Sequence, residues 1–223
     1  MKRKILIIES HSDDSAISIS GYLSKFKSDF EYNFLLITCS TITHTHTGVI
    51  DKSIRLFEYE RYINALNANW WQKEKPFDAD SLLDTIPKKE IISMMEHCIN
   101  DIKPDKIICQ GPSFHQDHII TYESLIAATR PSLIHYPNSI CLTENPTYVH
   151  SLGPHTDFKP DTYISLSKRN IEDKINLCNI FKSQLNTSNN ILSEEKIISW
   201  ARYRGIECRK EYAEALKTFI RII

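Results

Sequence analysis

Ile5-Leu6-Ile7-Ile8-Glu9-Ser10-His11-Ser12-Asp13-Asp14 is the stretch on which the fold turns. Four aliphatic residues in a row, without alternation, read as a strand buried on both faces, the habit of parallel sheets. Polar residues follow at once. Over residues 14–27, Ala16, Ile19, Leu23 and Phe26 then recur at helical spacing. Strand, polar loop and helix in that order form the opening unit of an alternating α/β chain.

The same alternation continues outward. Strands are expected at 34–39, 106–109, 132–136 and 162–166, and helices at 54–66, 89–102, 117–128, 170–184 and 194–203. Residues 41–53 and 143–158 read as long loops. No repeat, low-complexity segment or linker divides the 223 residues, so 1–223 is expected to be one domain. The order implies a single doubly wound, mostly parallel, Rossmann-like sheet with helices on both faces. Such sheets collect ligands beyond the carboxyl ends of their strands.

Bulk properties narrow the function classes. Hydrophobic residues at 41% and charged residues at 25% describe a globular chain and exclude disorder. Lys+Arg 27 against Asp+Glu 28 leaves no basic surplus, which argues against a nucleic-acid partner. Six cysteines contain no Cys-x-x-Cys pair, so thiolate zinc sites are absent. Several of them lie in apolar runs and read as buried reduced thiols. The apolar run after Met1-Lys2-Arg3-Lys4 ends at Glu9, too short for a signal peptide. No stretch approaches the ~20 apolar residues of a membrane span. A cytoplasmic protein is expected.

Two loops at strand ends concentrate the chemistry. Ser10-His11-Ser12-Asp13-Asp14 follows the first strand, and Phe114-His115-Gln116-Asp117-His118 follows the strand at 106–109. Each offers imidazole and carboxylate at short spacing. A catalytic zinc needs three N or O ligands and an open position for water, and two adjacent loops can supply them without cysteine. Taken alone, the first tract also reads as a helix cap with Ser12 or Asp13 on the first helical N–H groups. A strand followed by acidic residues also opens a receiver-like signalling module that binds magnesium through Asp13 and Asp14.

These motifs together resemble the PIG-L/LmbE-like family of zinc-dependent N-deacetylases. His11-Ser12-Asp13-Asp14 is similar to the family's His-Pro-Asp-Asp motif and His115-Gln116-Asp117-His118 to its His-Pro-Asp-His motif. Phe181-Lys182-Ser183-Gln184 resembles its His-x-Ser-Gln segment. Ala201-Arg202-Tyr203-Arg204-Gly205 and Glu211-Tyr212-Ala213-Glu214-Ala215 resemble its C-terminal pattern. The resemblance implies Zn2+ held by His11, Asp14 and His118, with Asp13 as general base for the attacking water. It implies His115, held by Asp117, as the group that stabilises the oxyanion or protonates the leaving amine. The implied substrate is a small N-acetylated sugar or glycoconjugate, losing acetate. A homo-oligomer is compatible with the family, and so is a catalytically silent sugar-binding relative. Ser15, Ser12, Gln116 and Ser113 depart from the pattern, the last standing where some relatives carry a tyrosine.

Other residues lie near this chemistry. Arg55 and Glu58 fall where the family has an Arg-x-x-Glu segment, so Arg55 is a substrate-binding candidate, although an i,i+3 surface pair explains both equally well. His155 is a second substrate-binding candidate on its loop. His44 and His46, alternate residues on one side of an extended loop, offer two further imidazoles for a metal, but with a complete ligand set elsewhere they read as solvated or pocket-lining. Trp70-Trp71 suits either a sugar platform or the packing of a helix on the core.

Overall fold

The computed structural model describes residues 2–44, 48–73, 75–146, 158–184 and 193–223. The chain runs β1 (Arg3–Glu9), α1 (Asp14–Lys25), β2 (Phe30–Leu36), β3 (Ile42–His44), β4 (Gly48–Ile50), α2 (Lys52–Ala65) and β5 (Asn69–Trp70). A 3-10 turn (Leu83–Thr85) precedes α3 (Lys88–Ile102), β6 (Lys106–Gln110), α4 (Gln116–Ala128) and β7 (Ser139–Thr143). Then come β8 (Thr162–Leu166), α5 (Lys168–Cys178), α6 (Glu194–Glu207) and β9 (Tyr212–Arg221).

Seven strands form one sheet in the order β5-β2-β1-β6-β7-β9-β8. The pairs β2–β5, β1–β2, β1–β6 and β6–β7 are parallel, whereas β9 runs antiparallel to both β7 and β8. The mostly parallel α/β architecture is therefore as the sequence implies.

Pleating explains the unbroken apolar runs, because successive side chains serve opposite faces. Ile5 and Ile7 enter the core on one face, with Ala16, Ile19 and Leu23 of α1 and with residues of α2, α5 and α6. Leu6 and Ile8 enter the other, with Ile91, Met95 and Ile99 of α3 and Leu125 of α4. Each buried Ile, Leu or Met side chain among them contributes roughly 1.5–3 kcal/mol. Both faces are covered by helices, the doubly wound arrangement.

The chain leaves β1 toward β2 and β5 on one side, then returns to lay β6 and β7 on the other. The switch point thus lies between β1 and β6, where ligands collect in such sheets. The loops after these two strands are the two that carry the His/Asp motifs.

Three departures from expectation have physical causes. The strand expected at 132–136 forms instead at Ser139–Thr143, because Pro131 and Pro137 bracket the earlier segment and leave Ile134 92% exposed. The loop expected at 41–53 contains the β3–β4 hairpin, and β4 opens on Gly48 at φ 73°, a conformation that suits glycine. The ten-residue β9 is not anticipated at all. Its first half is buried, including Glu214, and a buried carboxylate inside a strand obscures the apolar pattern.

Candidate active site

Strand β1 ends in Glu9, and the four residues Ser10 to Asp13 carry the chain into α1. Asp13 occupies the N-cap position of α1, yet its side chain makes no capping hydrogen bond. Reading this tract merely as a helix cap therefore loses its support. Asp14 turns inward instead, and its Oδ2 accepts the backbone N–H of His11 at 2.9 Å.

The second loop leaves β6 through Gly111. A Cβ there would meet the carbonyl oxygen of Thr143 at 2.7 Å, so only glycine lets this loop lie against the end of β7. His115 then acts as the N-cap of α4, its Nδ1 accepting the N–H of Asp117 at 3.2 Å. That bond leaves the proton of a neutral ring on Nε2.

The two loops bring His11, Asp14 and His118 together, all buried. His11 Nδ1 lies 3.2 Å from His118 Nε2. His118 Nε2 is 3.2 Å from Asp14 Oδ1, and His11 Nδ1 is 3.7 Å from Asp14 Oδ2. Donors bound tetrahedrally at 2.0–2.1 Å would stand about 3.3 Å apart. The outer nitrogen of each ring is already committed. His11 Nε2 donates to Asp117 Oδ2 at 3.0 Å, and His118 Nδ1 meets the Ser113 hydroxyl at 2.6 Å. Two inner ring nitrogens and a carboxylate therefore converge, a donor set suited to a cation between them once the rings are neutral. His115 is near enough to count as a further donor, and His11, Asp80, His115 and Asp117 form a second possible grouping. Because the His115 Nδ1 is spent on the helix, Asp14 completes the first set better.

Charge interactions follow this geometry. Burial alone would raise Asp14, but the facing His118 and His11 outweigh it and hold the carboxyl well below its usual range. Burial would lower His11, and Asp117 and Asp14 reverse that, raising it well above. Asp13 is pushed up by burial and then by Asp14. Burial, with His11 and His118 close by, brings His115 down to about 4, so its ring is neutral at pH 7. Glu9, bonded to the Tyr59 hydroxyl and the Ser15 N–H, is raised by burial to about 8.

Some expected relationships take a different form. The Asp117 carboxylate holds His11 rather than His115, and it also accepts the N–H groups of Ser81 and Leu83 at 2.6 and 3.2 Å. Asp117 meets His115 through its backbone N–H, which donates to the His115 Nδ1. Arg55 and Glu58 are not a surface pair. Both are buried; Arg55 Nη1 donates to Asp80 Oδ2 at 2.6 Å, and Glu58 accepts the Ser183 N–H and hydroxyl at 2.9 and 2.6 Å. Asp80 Oδ1 in turn faces His11 Nε2 at 3.8 Å, so Arg55 reaches the site through that carboxylate. Phe181, where the family motif has histidine, packs in the core on Tyr62. Trp70 stacks edge-on against Tyr59, and Trp71 donates to Asp101, so both serve packing. His46 and His155 lie outside the described residues, as does the side chain of His44.

Asp80 and Asn145, which sequence reasoning missed, complete the shell together with Ser113, which the sequence marked only as a departure from the family pattern. Asn145 donates from Nδ2 to Asp14 Oδ1 at 3.3 Å. Its neighbour Glu144 is clamped by the Arg204 guanidinium through Nε at 2.7 Å and through Nη2, and by Trp200 Nε1 at 3.0 Å. The available signal was topological, since Asn145 closely follows the end of β7.

Comparisons with known proteins bear on this site. The profile of the family described as PIG-L, GlcNAc-PI de-N-acetylase, matches residues 6–129, which span both loops. No curated protein sequence matches. Among solved structures, the antimicrobial reagent A40926 pseudoaglycone deacetylase Dbv21 superposes with a TM-score of 0.78 at 18% identity, over 100% of this chain and 99% of its own. The N,N'-diacetylchitobiose deacetylase from Pyrococcus horikoshii gives 0.72 at 19%, covering 97% and 84%. GalB, the 4-carboxy-2-hydroxymuconate hydratase of Pseudomonas putida, gives 0.70 at 14%, covering 99% and 98%. At these identities the likeness establishes the fold, and the hydratase shows that the fold hosts more than one reaction.

Proposed function

The chain belongs to the PIG-L (GlcNAc-PI de-N-acetylase) family, and on that premise we propose that it is a zinc-dependent hydrolase removing an N-acetyl group from an amino sugar or sugar conjugate. The carrying observation is the convergence of His11 Nδ1, His118 Nε2 and the Asp14 carboxylate, with both outer ring nitrogens already bonded. We assign the ligand role to these three residues. Bound there, zinc supplies a Lewis acid for the amide carbonyl and brings the pKa of water to about 7.

The remaining steps belong to the protein. Asp13, whose carboxylate is not spent on capping α1, takes a proton from the attacking water. His115, with its Nδ1 occupied by the Asp117 N–H, donates from Nε2 to the oxyanion as a neutral imidazole. That role replaces the charged imidazolium such a mechanism would otherwise invoke. Collapse breaks the C–N bond, the proton from Asp13 passes to the departing amine, and acetate and free amine result. Asp117 orients His11, and Arg55 with Asp80 lines the approach. The reading takes residues 1–223 as one catalytic domain.

Among the described residues no helix is long and apolar enough to cross a membrane. Six free cysteines suit a reducing compartment, and we assign the enzyme to the cytoplasm. A receiver-like magnesium module leaves His115 and His118 without a role and is not supported by the family.

The test is acetate release from N-acetylglucosamine conjugates by wild type and Asp13→Asn. Hydrolysis should fall by at least ~10²-fold while zinc content is unchanged, because base and ligand are different residues. Full activity in Asp13→Asn would refute the assignment of the base. A zinc-loaded wild type inactive on every N-acetylated sugar tried would refute the substrate class.

A further inference from the structure

At the opposite end of the sheet from His11, a cleft of about 540 Å3 opens beside the starts of β1, β6 and β7 and the end of β9. Arg3, Lys106 and Arg221 line it, together with Asp105, Asn138 and Ser139. Among the described residues none of these three cations meets a carboxylate. The Arg3 guanidinium lies over the Phe30 ring at 5.3 Å and the Lys106 ammonium over the Tyr22 ring at 5.6 Å. Asp105 is the one acidic side chain in the lining; its Oδ2 accepts the Lys4 N–H at 2.8 Å, and it offsets one of the three positive charges.

Nearby cations behave differently. Lys4 Nζ donates to the Ile102 carbonyl, which ends α3; Lys25 Nζ donates to the Ser165 carbonyl; and Lys217 pairs with Asp161. Each of these finds an oxygen of the protein itself. Three positive groups that surround one concavity without such acceptors repel one another, and an anion in the cleft would relieve that repulsion.

We propose that this cleft binds a small phosphate anion carrying several charges, of the pyrophosphate or sugar-phosphate kind. Arginine presents a planar fork matched to phosphate oxygens, and two arginines with one lysine suit more than one phosphoryl charge. The volume lies within the roughly 300–1,000 Å3 of small-molecule pockets and exceeds the needs of a single inorganic ion. Aromatic faces beneath Arg3 and Lys106 hold both cations in position before a ligand arrives. Strand β1 separates Arg3 from Glu9 by six residues, or about 20 Å. The ligand is therefore not the substrate of the His/Asp site, and the inference stands independently of the proposed reaction.

The experiment is calorimetric titration of the full-length, zinc-loaded protein with inorganic pyrophosphate at low ionic strength. Wild type should bind saturably, about one per chain, with affinity falling as salt rises. Lys106→Ala and Arg221→Ala should each weaken binding at least tenfold; Arg221 is exposed and Lys106 half-buried, so neither substitution opens the core. Asp14→Ala, which alters only the distant metal site, should bind pyrophosphate as wild type does. Absence of saturable binding, wild-type affinity in the two cation variants, or loss of binding in Asp14→Ala would each overturn the proposal.

Discussion

His11 Nε2 lies 3.0 Å from the carboxylate of Asp117, which joins the loop after β1 to the first turn of α4. The bond fixes the proton of His11 on Nε2 and turns Nδ1 toward Asp14 and His118. Asp117 thereby orients a ligand of the proposed metal. Asp117→Asn should lower zinc affinity about 10- to 100-fold, the usual cost of losing an outer-shell partner. Competition with a chromogenic chelator measures this, and unchanged affinity would show that His11 needs no such support.

Ser113 performs the matching service for His118 and also accepts the His115 N–H at 3.1 Å. Ser113→Ala removes both contacts. Zinc binding should weaken about tenfold, and stability in urea should drop by about 1–3 kcal/mol because buried donors lose their acceptor.

Legibility from sequence followed the length and clarity of local signals. The run Ile5–Ile8 identified a parallel strand correctly because both its faces are buried, and the loops after β1 and β6 carried recognisable motifs. The partners of those motifs were harder to read. Asp80 and Asn145 come from segments 66 and 131 residues away from Asp14 in sequence, and nothing local marks them. Displacing β7 to 132–136 also hid the topological reason to inspect Asn145. Arg55 and Glu58 had the spacing of a surface pair, and only tertiary packing reveals that each has a different buried partner.

A buried ion pair supports α1, the helix that carries Asp13 and Asp14. Glu214 accepts the N–H groups of Gly21 and Tyr22 at 3.0 and 2.6 Å, and Lys174 Nζ donates to the carbonyls of Ile17 and Ser18 at 2.7 and 3.2 Å and to Glu214 at 2.6 Å. Lys174→Met strands a buried carboxylate and should cost about 3–5 kcal/mol in denaturant unfolding. Glu214→Gln keeps an acceptor for the helix and should cost less than Glu214→Leu. Equal costs for the two neutral substitutions would show that charge, not helix satisfaction, dominates.

Gly111→Ala should destabilise by roughly 1–3 kcal/mol, since its Cβ would overlap the Thr143 carbonyl. The same shift moves the loop bearing Ser113, so zinc affinity should fall with stability. Thermal unfolding with and without zinc measures both effects.

The most direct test is the zinc content of wild type and Asp14→Ala, purified side by side without chelators and dialysed after exposure to zinc. Wild type should hold about one zinc per chain and the variant little or none, since one of three protein ligands is gone. A wild type that stays free of zinc, or an Asp14→Ala protein that retains as much as wild type, would contradict the metal centre described for His11, Asp14 and His118.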